Sequence, residues 1–227
     1  MHTIIVVGGS KGIGNAIVSS LLPWYKVINI SRTEPGQAHK NLTHYSCDVL
    51  NDELPNVDAV DGLVYCPGSI NLKPIGRLSL DDFKSDFNIN VLGAVKVIQK
   101  YLPQLKNGNN PAIVLFSTVA TKLGMPFHAS VATSKSAVEG LTKSLGAELA
   151  PTVRVNAIAP TVTNTELASK LLRNERMVTA MNDRHPLKKY LQPEEVAEMA
   201  TFLLSDKAAS LSGQIFEMDC GIVSFKI

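Results

Sequence analysis

The sequence has no pair of cysteines at a metal-binding or redox spacing. Cys47, Cys66 and Cys220 are odd in number and far apart, which excludes a disulfide framework or a Cys-x-x-Cys site and predicts reduced thiols. Charge of one sign is not in excess either. Twenty-two basic residues against twenty acidic ones leave +2, so the composition gives no sign of a nucleic-acid surface. No apolar run approaches the roughly 20 residues that a bilayer crossing needs, and no basic segment with a long apolar stretch opens the chain. A His-Glu-x-x-His pair and clustered metal ligands are absent as well. These absences lead us to expect a cytoplasmic protein with no metal and no membrane or nucleic-acid partner.

What is present is ample apolar material. A hydrophobic content of 45% with 19% charged residues suits one large α/β domain spanning residues 1–227. The chain is organised around its first apolar run, Thr3 to Val7, and the turn that follows, Gly8-Gly9-Ser10-Lys11-Gly12-Ile13-Gly14. A strand that enters a glycine-dense turn and then a helix is what a dinucleotide requires. Gly8 allows the tight turn, Gly12 lets backbone approach a pyrophosphate, and Gly14 lets the helix pack closely. The helix N-terminus offers free N–H groups and a partial positive charge to the phosphates. The spacing is Gly-x-x-x-Gly-x-Gly and not Gly-x-Gly-x-x-Gly.

The pattern then alternates. A helix is expected at about 12–22, a strand at 26–30, a strand at 43–47 and a strand at 60–65. Helical periodicity runs from Leu80 to about Lys106, followed by a strand at 111–116 and a helix at about 129–150. A strand at 153–158, a helix opened by Pro193 and a strand at 214–218 complete the series. This alternation predicts a Rossmann-type, doubly wound parallel sheet of about seven strands with helices on both faces. Residues 162–191 are polar and irregular or weakly helical, with the length of a lid over a pocket.

In such sheets ligands bind at the carboxyl ends of the strands. The residues there are the glycine turn, Ser31 and Arg32, Asp48, Gly68, Ser117 with Thr118, and Pro160. Arg32 at the end of the second strand suits an adenosine 2′-phosphate, and Lys11 adds a second cation; NADP(H) is therefore favoured over NAD(H). Arg32 also reads as a plain solvated charge, and Glu34 keeps the NAD reading open. Asp48 reads either as a partner for an adenine amino group or as the cap of a short following helix. Asn90, a poor helix-interior residue, reads as an exposed passenger or as an amide that bends the helix and holds a water.

Together these markers resemble the short-chain dehydrogenase/reductase family over essentially the whole length. The resemblance rests on Gly8-x-x-x-Gly12-Ile13-Gly14, Cys66-Pro67-Gly68 in the place of Asn-Ala-Gly, Asn90-Val91-Leu92-Gly93, Lys135-Ser136-Ala137, Asn156-Ala-Ile-Ala-Pro160, and Gly213-Gln214 with Asp219-Cys220-Gly221. It implies hydride transfer between a nicotinamide and a small carbonyl or alcohol substrate. It further implies that Asn90 holds a relay water, that Thr118 takes the role of the substrate-binding serine, and that Lys135 holds the nicotinamide ribose. By the same resemblance the cofactor would be held by Gly8, Ser10, Lys11, Gly12, Ile13, Gly14, Ser31, Arg32, Asp48, Val49, Pro67, Gly68, Ser117, Lys135, Pro160, Val162 and Thr165.

One position departs from the pattern. Four residues before Lys135, where the family has its proton-transferring tyrosine, the chain has Val131. Residues four apart share a helical face, so Val131 should stand beside Lys135 without being able to donate a proton. His128, one turn earlier, is a candidate replacement or else merely precedes the helix; Thr118, Ser134 and a water held by Asn90 and Lys135 are others. The alternative to an enzyme with an altered donor is an NADP(H)-binding sensor or structural protein without turnover. A homodimer or homotetramer is also expected, because the helix carrying Ala132, Ala137, Val138, Leu141, Leu145 and Leu149 has much apolar surface. The same stripe would serve equally to cover the sheet.

Overall fold

In a computed structural model that describes residues 1–225, the first strand shows how the sheet is built. Along β1 (Thr3–Val7), Ile5 and Val7 enter one core while Ile4 and Val6 enter the other, all at 1% exposure or less. Side chains of a strand alternate between faces, and a strand apolar on both belongs inside a parallel sheet covered twice.

The elements that follow are α1 (Gly12–Leu21), β2 (Lys26–Ser31), β3 (Leu42–Ser46), β4 (Gly62–Tyr65), α2 (Leu80–Phe87) and α3 (Gly93–Lys106). They continue with β5 (Ala112–Phe116), α4 (Ala129–Glu148), β6 (Arg154–Pro160), α5 (Glu175–Arg184), α6 (Pro193–Leu204) and β7 (Ile215–Met218). The seven strands pair in parallel in the order β3-β2-β1-β4-β5-β6-β7. The expected doubly wound sheet is present. α3 and α4 cover one face, and α1 packs against α6 on the other. The strand order reverses between β1 and β4, and that reversal opens a crevice at the carboxyl ends of the strands.

Local departures from the sequence reading have physical causes. No helix follows Asp48: its carboxylate accepts from the Leu50 N–H at 3.0 Å and from the Asn51 side chain at 3.1 Å, closing a turn instead. The helical run from Leu80 to Lys106 is broken by a wider π turn over Asn88–Leu92, so Asn90 is no exposed passenger. Asn90 is 2% exposed, and its Nδ2 donates to the Asp86 carbonyl at 2.8 Å. Gly93 follows because any Cβ there would fall 2.2 Å from the Tyr65 hydroxyl, which donates to the Ile89 carbonyl. The 162–191 segment holds a 3-10 turn at Glu166–Leu171 and the whole of α5. Val138 on α4 and Leu149 just past its end are buried in the sheet core, with Ala137, Leu141 and Leu145 packed against it, so that stripe covers its own sheet. Among the described residues, no helix is long and apolar enough to cross a membrane.

Candidate functional site

At the end of β1 the chain turns with Gly8 at φ +78° and Gly12 at φ +52°, backbone conformations that side chains resist. The Gly8 N–H donates to the Ile30 carbonyl, and the Gly9 N–H donates to Asn29 Oδ1 at 2.9 Å. A Cβ on Gly14 would sit 2.2 Å from the Gly8 carbonyl oxygen, so α1 can pack this close to the turn only with glycine there. Lys11 precedes α1 and no side chain caps the helix, which leaves its first N–H groups for a ligand.

The turn forms one end of a cavity of about 610 Å³, within the range of cofactor and substrate sites. Gly8, Lys11, Gly12, Ile13, Gly14, Gly68, Ser117, Thr118, Lys135, Pro160, Val162 and Thr165 all line it, together with Val131 and His128. These residues share one space. Ser10, Ser31, Arg32, Asp48, Val49, Pro67 and Asn90 stand outside its wall.

Several of these are engaged otherwise than expected. The Ser31 hydroxyl is buried, donating to the Thr33 carbonyl and accepting from Asn29 Nδ2. Val49 points into the core, so only its backbone is free to meet a ligand. The Lys11 ammonium pairs with Glu166 at 2.9 Å, joining the glycine turn to the 162–191 segment. Arg32 is exposed, and its charge helps hold the Asp48 carboxyl below the ordinary value, after the larger effect of the Leu50 N–H donor. Ser10 lies in Gly8-Gly9-Ser10-Lys11-Gly12, which also has the spacing of a hydrolase nucleophile elbow. Its hydroxyl accepts from Thr33 at 3.0 Å and has no histidine beside it among the described residues.

Deeper in, α4 presents Val131 and Lys135 one turn apart on the cavity wall, as the spacing predicts. Val131 is 4% exposed. Lys135 Nζ donates to the Phe116 carbonyl at 2.9 Å, and burial lowers its pKa to about 8. Cys66 itself is pushed up to about 12 by burial and is a neutral thiol in the physiological range. A Cβ built on Gly68 would lie 3.0 Å from Asn90 Oδ1 and 3.5 Å from Lys135 Nζ, so glycine keeps the space between those two groups open. Asn90 Oδ1 is buried and has no protein partner.

Thr118 lines the cavity with its Oγ1 accepting from the Ala120 N–H, while Ser117 donates to the buried Glu139 carboxylate at 2.6 Å. His128 sits at the N-cap of α4 without capping it. Its Nδ1 lies 2.7 Å from the Pro126 carbonyl, which can only accept, so Nδ1 carries the proton. Ser134 is a poor proton donor: it is buried, and its hydroxyl is spent on the Val131 carbonyl. Tyr65 is likewise remote in function, its hydroxyl tied to Ile89 and its pKa raised by burial. The sequence reading overlooked Asn29, Ser69 and Asp86. Each is a polar residue with long-range partners, and the only signal was polarity within or beside an apolar pattern.

Known proteins resemble this chain over most of its length. The family model described as enoyl-(acyl carrier protein) reductase matches residues 46–223. A 3-oxoacyl-(acyl-carrier-protein) reductase from Thermotoga maritima is 33% identical over 78% of this chain and 71% of its own. A carbonyl reductase (NADPH) of Sus scrofa is 28% identical over 97% of this chain and 96% of its own. Among solved structures, ligand-free aldohexose dehydrogenase from Thermoplasma acidophilum superposes with a TM-score of 0.91 at 27% identity, covering 99% of this chain and 95% of the other. A 4-hydroxyisoleucine dehydrogenase complexed with NADH shares the fold at 24% identity, with a TM-score of 0.87 and full coverage of both chains. The chain belongs to the short-chain dehydrogenase/reductase family, and is an oxidoreductase of that nicotinamide-dependent type.

Proposed function

We propose that the protein is an NADP(H)-dependent reductase of a small carbonyl compound, and that Val131 occupies the place of the family's tyrosine. The observation that carries this reading is that Val131 faces the cavity one turn before Lys135, with Thr118, Gly68 and the glycine turn on the same wall. The cofactor, when bound, supplies the hydride. The residues present fit it: two positive-φ glycines, an uncapped helix end and a deep lysine lie along one cavity. Arg32 next to Asp48 would meet the 2′-phosphate, Lys135 would hold the ribose, and Thr118 would hydrogen-bond the substrate oxygen. Residues 162–191 would cover the substrate, with the Lys11–Glu166 pair fastening the lid to the turn.

The proton must then come from elsewhere than a tyrosine. His128, which lines the cavity, is one candidate source; the Lys135 ammonium, acting through a water held by Asn90, is the other. The name of the porcine carbonyl reductase includes NADPH, which supports the choice of cofactor. The second reading, an NADP(H) sensor without turnover, is favoured by Val131 itself. From family membership alone, since the α4 stripe covers its own sheet, we also propose a homodimer or homotetramer in the cytoplasm, which sedimentation at micromolar concentration tests.

The deciding experiment supplies NADPH deuterated at the transferable position together with a panel of carbonyl compounds, and looks for deuterium in an alcohol product by mass spectrometry. Deuterated product supports the reductase. Saturable NADPH binding with no label transferred to any compound would leave the sensor.

A further inference from the structure

Residues 162–191 bring two charged side chains to the cavity wall, Glu166 and Arg184. Glu166 is answered by the Lys11 ammonium at 2.9 Å. Arg184 is not answered: among the described residues it takes part in no ion pair, and Glu166 is the one acid on the wall. The third cation there, Lys135, lies deep in the cavity with its Nζ on the Phe116 carbonyl.

The fold holds Arg184 at this wall. Met181, one turn earlier on α5, lines the same cavity, and residues three apart share a helical face, so that face of α5 is turned to the cavity. His185, the next residue, is 1% exposed. Its Nδ1 lies 2.7 Å from the Met181 carbonyl and therefore carries the proton, which leaves Nε2 to accept from the Thr161 hydroxyl at 2.7 Å. Thr161 follows β6 directly and is itself part of the cavity wall. Two residues past His185, the Leu187 N–H donates to the Cys220 carbonyl. The C-terminal end of α5 is thus tied to the end of the sheet, and Arg184 is carried with it. A cation in the last turn of a helix is ordinary, since it meets the helix dipole. One that also faces a cavity without a counter-ion offers a planar pair of N–H donors to an anion.

We propose that Arg184 binds a carboxylate, and that the substrate of this cavity is an aliphatic oxo acid. This rests on the reductase reading for the chemistry at the carbonyl, while the anion site is tested without turnover. The aliphatic body is set by the rest of the wall. Ile70, Met125, Leu167, Leu171 and Met181 have no hydrogen-bonding group to offer a sugar or a polyol, and the two methionines adapt to an unbranched chain. Arg184 is exposed, so the carboxylate would sit partly in water and the pair would be worth about tenfold in affinity.

The probes are hexanoate and hexanamide, equal in length and neither of them reducible by hydride transfer to a ketone. Each is titrated by ligand-observed NMR into the full chain, free and saturated with NADPH. Hexanoate should bind about tenfold more tightly than hexanamide, and Arg184→Ala should abolish the difference. Arg176→Ala removes the same charge from the same helix at a position that does not line the cavity, and should keep the difference. Equal affinity for the two probes in both states of the protein overturns the proposal, as does a preference that survives Arg184→Ala. So does a loss of NADPH affinity in Arg184→Ala as large as the loss for hexanoate, which would give the arginine to a cofactor phosphate. Arg184-dependent hexanoate binding without reduction of any oxo acid would uphold the anion site and fail the reductase reading instead. Where turnover is found, Arg184→Ala should raise KM about tenfold for straight-chain oxo acids with kcat kept, and leave their methyl esters unchanged.

Discussion

Gly14→Ala should both destabilise the protein and weaken its grip on NADPH, against the general rule that alanine improves a helix. The exchange gains about 1 kcal/mol of helix propensity. The new Cβ, however, would sit 2.2 Å from the Gly8 carbonyl oxygen, 2.9 Å from the Gly8 carbonyl carbon and 3.1 Å from the Gly9 Cα. These are backbone atoms, and ordinary contact would require the turn and α1 to part by about 1 Å or more. Overpacking of this kind costs about 1–3 kcal/mol. A clash with backbone belongs at the upper end of that range, so the net loss should be about 1–2 kcal/mol. For a chain of this size that lowers Tm by roughly 2–8 °C. Opening the turn should also weaken NADPH at least about tenfold, equivalent to about 1.4 kcal/mol. Gly140→Ala is the control. Gly140 lies exposed on α4, and a Cβ there meets nothing within 4 Å. That change should raise stability by about 0.5–1 kcal/mol with no change in affinity. Thermal unfolding and NADPH titration of both variants test the argument. It is refuted if Gly14→Ala proves as harmless as Gly140→Ala.

Three further outcomes are expected. Arg32→Ala should weaken NADPH by about tenfold or more while leaving NADH affinity nearly unchanged, read as a ratio of dissociation constants. Equal losses for both would mean that Arg32 does not meet the 2′-phosphate. With a Lys135 pKa of about 8 against 10.5 for free lysine, the ammonium is lost as pH rises past 8, so NADPH affinity should fall there. Folding stability should rise between 8 and 10.5, because the unfolded chain binds the proton more tightly than the fold does. Affinity and unfolding free energy moving in the same direction with pH would contradict the assignment. Arg154 is buried with its guanidinium on the carbonyls of Leu203, Ser205 and Ala208, closing the C-terminal end of α6. Arg154→Met should therefore cost about 3 kcal/mol in denaturant unfolding, with cofactor affinity retained.

The fold was legible where local pattern and tertiary environment agree. β1 is apolar on both faces because it is central, and the glycine turn is written in residues that only a positive φ or a close approach explains. The convergence of Gly68, Thr118 and Pro160 was legible too, because a doubly wound sheet brings its strand ends together, and Lys135 joins them from α4. What escaped was anything decided by distant partners. Lys11 was placed at the phosphate end by its position in the turn, yet its ammonium pairs with Glu166, 155 residues away. Ser31 was taken to face the ligand, but Asn29 and Thr33 hold its hydroxyl inside. Asp86 shares α2 with two other acids and nothing local marks it; its partners Ser69, Asn71 and Ser130 come from elsewhere in the chain. The break in the long helix was visible only as a misplaced asparagine, since a π turn has no periodicity of its own over five residues.

The central claim is that the cavity carries out reduction without a tyrosine. It is tested most directly by kcat/KM for NADPH-linked carbonyl reduction in the unmodified protein, His128→Ala and Val131→Tyr. The account predicts measurable turnover in the unmodified protein and a fall of about 10²-fold or more in His128→Ala. Binding of NADPH without turnover, with activity appearing only in Val131→Tyr, would contradict it and leave a preserved scaffold whose present work is binding.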